Sequence, residues 1–162
     1  MKSFSTLHRV SHSAANMFAL VGDVERYPEF LPLCEGLTVQ SREPGENGGE
    51  ILLADMTVAY KMFHETFASR VTLDPEAPQV LVENVDGPFR HLENRWQFTP
   101  VAEDACDIEF YVAYEFASRS MQILAGAVFE KAFRKFVHAF EERANIVYRT
   151  PGIASAPGVT AS

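Results

Sequence analysis

Cysteine is scarce in this chain: Cys34 and Cys106 are the only two, and they form no CxxC pair. That excludes a disulfide framework and a cysteine-based zinc site, and it fits reduced thiols. Basic charge is also short. Fourteen Lys and Arg stand against 22 Asp and Glu, a net charge of -8, which opposes non-specific attraction to phosphate backbones, DNA included, or to anionic lipid. No stretch approaches 18 apolar residues, so any membrane contact is expected to be peripheral. Met1 to Val10 alternate polar and apolar residues, without the apolar run of a signal peptide or the Arg-rich character of a transit peptide. Catalytic signatures are missing as well: GxSxG, HExxH, P-loop and GxGxxG motifs do not occur. His8 and His12 are four apart but straddle a strand and a turn, and His64, His91 and His138 fall on separate elements, so no metal site is expected. Asp55, Glu65, Glu83 and Glu93 read as solvent-facing charge on alternating strand positions.

What the chain has in abundance is phenylalanine, 13 copies in 162 residues, within a 47% hydrophobic composition that can support a real core in one domain. Phe129, Phe133, Phe136 and Phe140 are spaced by four, three and four, which puts four rings on one face of a long C-terminal helix. The helix is predicted from Ser118 or Ser120, as N-cap, to about Tyr148. Its buried face is Ala125, Phe129, Ala132, Phe133, Phe136, Phe140, Ala144 and Val147; the opposite face carries Glu130, Lys131, Arg134, Lys135, Glu141 and Glu142. Arg119, Lys131, Arg134, Lys135 and Arg143 make a modest basic patch there, read as a solvated face.

The rest of the chain reads mainly as strands. Phe4, Thr6, His8 and Val10 mark a first strand. A short helix follows, capped by Ser11 or Ser13 and ended by Gly22 and Asp23, and a second begins near Val24. Tyr27, Pro28, Phe30, Leu31, Pro32 and Leu33 form a connector too apolar to lie free in water. Strands then succeed one another from about Thr38 to Phe116, with the Gly-rich turn Pro44 to Gly49 and the turns Asp74 to Pro78 and Asp86-Gly87-Pro88 between them. Leu52, Ala54, Met56, Val58 and Tyr60 share one face; Phe63, Phe67, Val71 and Leu73 share another, interrupted by Glu65 and Ser69. Leu92, Asn94, Trp96 and Phe98, and Ile108, Phe110, Val112, Tyr114 and Phe116, alternate cleanly with polar neighbours. Residues 149–162 lack periodicity and read as a flexible tail after one domain over residues 1–148.

One strand, two short helices, six more antiparallel strands and a long helix resemble the START-like helix-grip fold: α+β, a seven-stranded curved antiparallel sheet with the last helix packed across it. Three segments sharpen the resemblance: Tyr27-Pro-Glu-Phe-Leu-Pro-Leu-Cys34, Asp86-Gly-Pro-Phe-Arg-His-Leu-Glu-Asn-Arg-Trp-Gln-Phe98, and Phe129 to Ala144 ending Ala139-Phe-Glu-Glu-Arg-Ala144. These are similar to the coenzyme Q-binding protein family, over Ser3 to about Tyr148. That family has a quinone-binding branch and a branch of ribosome-association toxins. His91-Leu-Glu-Asn-Arg-Trp96 and Phe67-Ala-Ser-Arg-Val-Thr-Leu-Asp74 are nearer the quinone branch, and the missing transit peptide fits a bacterial protein that is cytoplasmic or peripheral at the inner membrane.

The resemblance implies ubiquinone, or a related isoprenoid lipid, as a bound ligand and no catalytic cofactor. The expected ligand-binding residues are Met56, Val58 and Phe63 on the middle strands; Phe89, Leu92, Asn94, Trp96 and Phe98 on the next; Tyr114 and Phe116 beyond it; and Phe129, Phe133 and Phe136 on the helix. Tyr27, Phe30 and Leu31 are read as a lid, or equally as helix packing at the sheet rim. The Phe stripe is also explained as ordinary core. Asn94 and Tyr114 are candidate donors to a quinone carbonyl, or polar groups bonded within the sheet. The alternatives to a carrier are ribosome contact through the basic side of the last helix and aromatase or cyclase chemistry; for the latter no acid–base pair is apparent.

Overall fold

The computed structural model describes residues 1–148; the expected tail lies outside them. The strands are β1 Lys2–Val10, β2 Cys34–Pro44, β3 Glu50–Tyr60, β4 Phe63–Asp74, β5 Gln79–Asp86, β6 Phe89–Ala102 and β7 Ala105–Phe116. Two α-helices, α1 Ala14–Gly22 and α2 Arg119–Val147, complete the frame, with a 3-10 helix Val24–Glu29 between α1 and β2. Strands β2 to β7 form a meander and β1 joins its far side, giving the order β1-β7-β6-β5-β4-β3-β2 with every pairing antiparallel. Two of the turns obey local chemistry closely. Between β2 and β3, Asn47 and Gly48 take left-handed conformations (φ 58° and 76°) and Gly45 N–H donates to Gly49 O at 2.9 Å. Between β5 and β6, Gly87 sits at φ 144°, and a Cβ there would meet the Phe67 Cβ at 2.2 Å, so only glycine fits.

The sheet's inner face follows the predicted alternation, and register shifts bend the ladder between Cys34 and Gly36, Val39 and Ser41, Ala68 and Ser69, and Phe89 and His91. Strand β2 starts at Cys34, earlier than the expected Thr38, because the chain leaves the second proline directly into pairing with Val58. Helix α1 is capped by Ser13, whose Oγ accepts from Asn16 N at 3.0 Å, and α2 by Ser118, whose Oγ accepts from Met121 N at 3.2 Å. Along α2 the buried face runs through Ala125, Phe129, Ala132, Phe133, Val137, Phe140 and Ala144. Val137 replaces two expected members. Phe136 is half-buried and Val147 is 48% exposed, because the 3.6-residue period turns Tyr148, not Val147, back onto the core.

Candidate functional site

Between the sheet and α2 lies a cavity of about 80 Å³ whose lining is almost wholly apolar. Three layers of side chains build it. The sheet supplies Ala54, Met56 and Val58 from β3, Phe67, Ser69 and Val71 from β4, Val82 from β5, and Phe89, Leu92, Asn94 and Trp96 from β6. Helix α2 supplies Phe129, Ala132, Phe133, Phe136 and Phe140, and the segment after α1 supplies Val24, Tyr27, Leu31, Pro32 and Leu33; Leu37 closes it from β2. Period-two placement on five strands and the 3.6-period stripe on α2 put these side chains on facing surfaces.

Of the expected ligand residues, Tyr27, Leu31, Met56, Val58, Phe89, Leu92, Asn94, Trp96, Phe129, Phe133 and Phe136 line this cavity. Five others are placed elsewhere. Phe98 packs edge-on against Phe18 of α1 at 6.5 Å, and Phe116 stacks on Phe89 at 4.9 Å, so both lie behind the wall. Phe63 stands edge-on to Phe129 at 5.6 Å and borders a second groove. Phe30 rests edge-on against Phe140 at 5.0 Å, beneath the Arg143 guanidinium. Tyr114 packs on Phe133 at 5.1 Å and borders a separate depression with Glu130 and Arg134; burial first, then Glu130, raises its phenol above the usual value.

Sequence reasoning missed the small residues Ala54 and Ala132, and Phe140, which it kept as core. It also missed Pro32, Leu33, Val24 and Leu37 flanking the lid, and Phe67, Ser69, Val71 and Val82. The signal for the strand members was present: Phe67, Ser69 and Val71 alternate on β4, where Ser69 had read only as a fault in the pattern. Ser69 is the one buried polar residue among the described ones. Opposite it in register, Asn84 donates Nδ2 to Phe89 O at 3.1 Å and leaves Oδ1 buried without a partner. Asn94 is engaged: Nδ2 donates to Tyr111 O at 3.0 Å, and Oδ1 accepts from Trp96 Nε1 at 2.9 Å.

The lid segment is packed down. Tyr27 donates its hydroxyl to Val21 O, its ring stands edge-on to Phe140 at 5.3 Å, and burial raises its phenol far above the ordinary value. Glu29, at the end of the 3-10 helix, receives Arg26 at 3.0 Å and also Arg143 from α2. These two guanidiniums, through hydrogen bonds, lower the Glu29 carboxyl below its usual range. No group of three or more His, Cys, Asp or Glu among the described residues is arranged to hold a metal ion.

Residues 10–141 match the family described as "Polyketide cyclase / dehydrase and lipid transport". This chain belongs to that family. A ribosome association toxin, RatA of Escherichia coli strain K12, is 36% identical over 148 residues, 91% of this chain and 90% of the relative. The mitochondrial coenzyme Q-binding protein COQ10 homolog B of Xenopus laevis is 31% identical over 140 residues, 84% of this chain and 55% of the relative. The group that contains both is therefore the chain's own. In fold, the chain is similar to the Zhui aromatase/cyclase from Streptomyces sp. R1128, with a TM-score of 0.74 at 16% identity over 91% of this chain and 96% of that one. The helix-grip architecture is thereby shown.

Proposed function

We propose that this protein binds an isoprenoid quinone of the ubiquinone class in the cavity beneath α2, and carries or presents it to membrane enzymes without chemically changing it. The observation that carries this reading is the lining itself: aromatic and aliphatic side chains on all sides, with hydroxyl and amide groups but no carboxylate, imidazole or amine. Such a surface gains by excluding water from an apolar ligand and offers no acid–base pair for cyclase chemistry. Ser69, on the lining, marks the end at which a ring oxygen would be held, since its hydroxyl can donate to a quinone carbonyl. The relative named for coenzyme Q binding supports the same ligand class.

A cavity of about 80 Å³ is smaller than the roughly 300–1,000 Å³ common for ligand pockets. Binding then requires its walls to move apart, and the half-buried Met56, Phe136, Pro32 and Leu33 are lining residues at which the cavity already approaches the surface. No helix among the described residues is long and apolar enough to cross a membrane. A carrier that presents its ligand to membrane enzymes would work from the cytoplasm or at the inner membrane's surface.

The test is organic extraction of the native protein, purified from a quinone-making host, with identification of the lipids by mass spectrometry. Ubiquinone in stoichiometric excess over bulk lipid supports the proposal. Lipid-free protein whose Trp96 emission also ignores added short-chain quinone overturns it. A second reading, ribosome binding, is favoured by the RatA similarity and by the exposed Lys131, Arg134 and Lys135 on α2. Salt-sensitive co-sedimentation with large ribosomal subunits would support it, and clean absence from ribosomal fractions at low salt would remove it.

A further inference from the structure

Four exposed apolar side chains gather at one end of this protein, apart from Leu7 on β1 and Ile146 and Val147 at the far end of α2. Met62 is 91% exposed, Ile123 79%, Leu124 55% and Tyr60 40%. Tyr60 and Met62 flank Lys61 in the turn between β3 and β4, and Ile123 and Leu124 sit in the first turns of α2. The core-facing stripe of α2 passes through Ala125 and Phe129, so neither Ile123 nor Leu124 is needed for packing. Tyr60, Met62, Leu124 and Val128 border one groove of about 220 Å³. Single exposed apolar residues are ordinary; a cluster around a groove is not.

Two further features say what covers it. Leu33 belongs to the groove and to the main cavity alike, so the groove abuts the cavity wall at that residue. Leu33 holds a left-handed conformation at φ 69°, and its carbonyl accepts from Ala59 N at 3.1 Å, which ties its backbone to the end of β3 at this boundary. The cluster is also flanked by exposed cations, Lys61 in the turn and Arg119 at the start of α2, on a chain that is otherwise acidic. The acidic Glu35, at the start of β2, is engaged by His64 at 2.8 Å.

We propose that this end is a membrane-docking surface: Met62, Ile123 and Leu124 enter the headgroup–acyl boundary of an anionic bilayer, Lys61 and Arg119 meet its lipid headgroups, and an apolar ligand passes between bilayer and cavity beside Leu33. The passage rests on the lipid-binding reading above; the docking does not. An apolar cluster rimmed by cations matches an anionic interface in both its parts. A second copy of the chain matches it poorly, since a symmetric contact through this patch would bring the Lys61 and Arg119 cations of both copies into one interface.

The experiment is flotation of the full chain with phosphatidylcholine vesicles, with and without phosphatidylglycerol, beside the variant Met62→Ser/Ile123→Ser/Leu124→Ser and the variant Lys61→Glu. All four positions are exposed, so both variants should fold. Wild type is expected to float with the anionic vesicles; Lys61→Glu should weaken partitioning by about fivefold or more, and the triple variant should stay in the soluble fraction. Short-chain quinone added in solution should still change Trp96 emission in both variants. Flotation of the triple variant equal to wild type, or no flotation of wild type with either vesicle, overturns the surface assignment. So does a wild-type dimer that the triple variant dissolves, since a second copy then covers the patch. Docking without any quinone response would leave the surface standing and remove the ligand reading instead.

Discussion

The indole Nε1–H of Trp96 donates to Asn94 Oδ1 at 2.9 Å, two residues back on the same face of β6. The same amide donates through Nδ2 to the backbone carbonyl of Tyr111 at 3.0 Å, so Asn94 braces the cavity wall against β7 and gives the buried indole its acceptor. Asn94→Ala leaves the indole N–H without that acceptor. Leaving a buried polar group unpaired costs about 1–3 kcal/mol, so the variant should lose stability on that scale in urea titration. Because Trp96 is the only tryptophan, its emission should shift in the folded variant as well. Wild-type stability and an unmoved spectrum would show that the amide contributes nothing as a wall element.

Phe140 and Ile123 lie on the same helix and should respond very unequally to truncation. Phe140 is 1% exposed and its ring meets those of Tyr27, Phe30 and Trp96 at 5.0–5.3 Å. Phe140→Ala should therefore cost about 3–5 kcal/mol, whereas Ile123→Ala, on the exposed face, should change stability by less than about 0.5 kcal/mol. Equal effects in chemical denaturation would contradict the assignment of the two faces of α2.

How much of this was legible beforehand differs by level. The succession of strands, the caps to within Ser11 or Ser13 and Ser118 or Ser120, and the stripe Phe129, Phe133 and Phe140 follow from local periodicity and turn chemistry, which are written residue by residue; the place of β1 beside β7 does not. The cavity wall was legible only in part. Period-two alternation says that Phe98 and Phe116 face inward, but not that α1 covers the first and the Phe89 ring covers the second. Which inward residue borders a void depends on what stands opposite. Ser69 was passed over because a lone serine in an apolar strand resembles a break in the pattern, and its register partner Asn84 is named only by the β4–β5 pairing.

The carboxylate of Glu29 ties the 3-10 helix to α2 through Arg143, and Arg26 and Arg143 lower its folded pKa. A carboxyl whose folded value lies below its unfolded value adds stability above the unfolded value and loses it as pH falls through the folded one. Glu29→Gln should therefore be less stable than wild type at neutral pH, and the difference should shrink as pH falls below the ordinary carboxylate range. Thermal melts of both proteins from neutral pH down to pH 3 check this; a gap that widens in acid would contradict the sign.

Cys34 turns the same latch into something measurable. Its side chain is buried beside the lid, and burial pushes the thiol up to about 11, so little nucleophilic thiolate exists at neutral pH and reagent has no direct access. Cys106, 0% exposed beneath the sheet and likewise at about 11, serves as an internal control. Iodoacetamide should alkylate both slowly in the folded protein and both rapidly in guanidinium. Arg143→Met removes the tie to Glu29 and the cation over Phe30, which should let the Tyr27–Leu33 segment open more often. Alkylation of Cys34 should then accelerate while that of Cys106 stays slow, resolved by peptide mass spectrometry. Acceleration at both sites would indicate global unfolding, and acceleration at neither would mean that Arg143 does not restrain the segment.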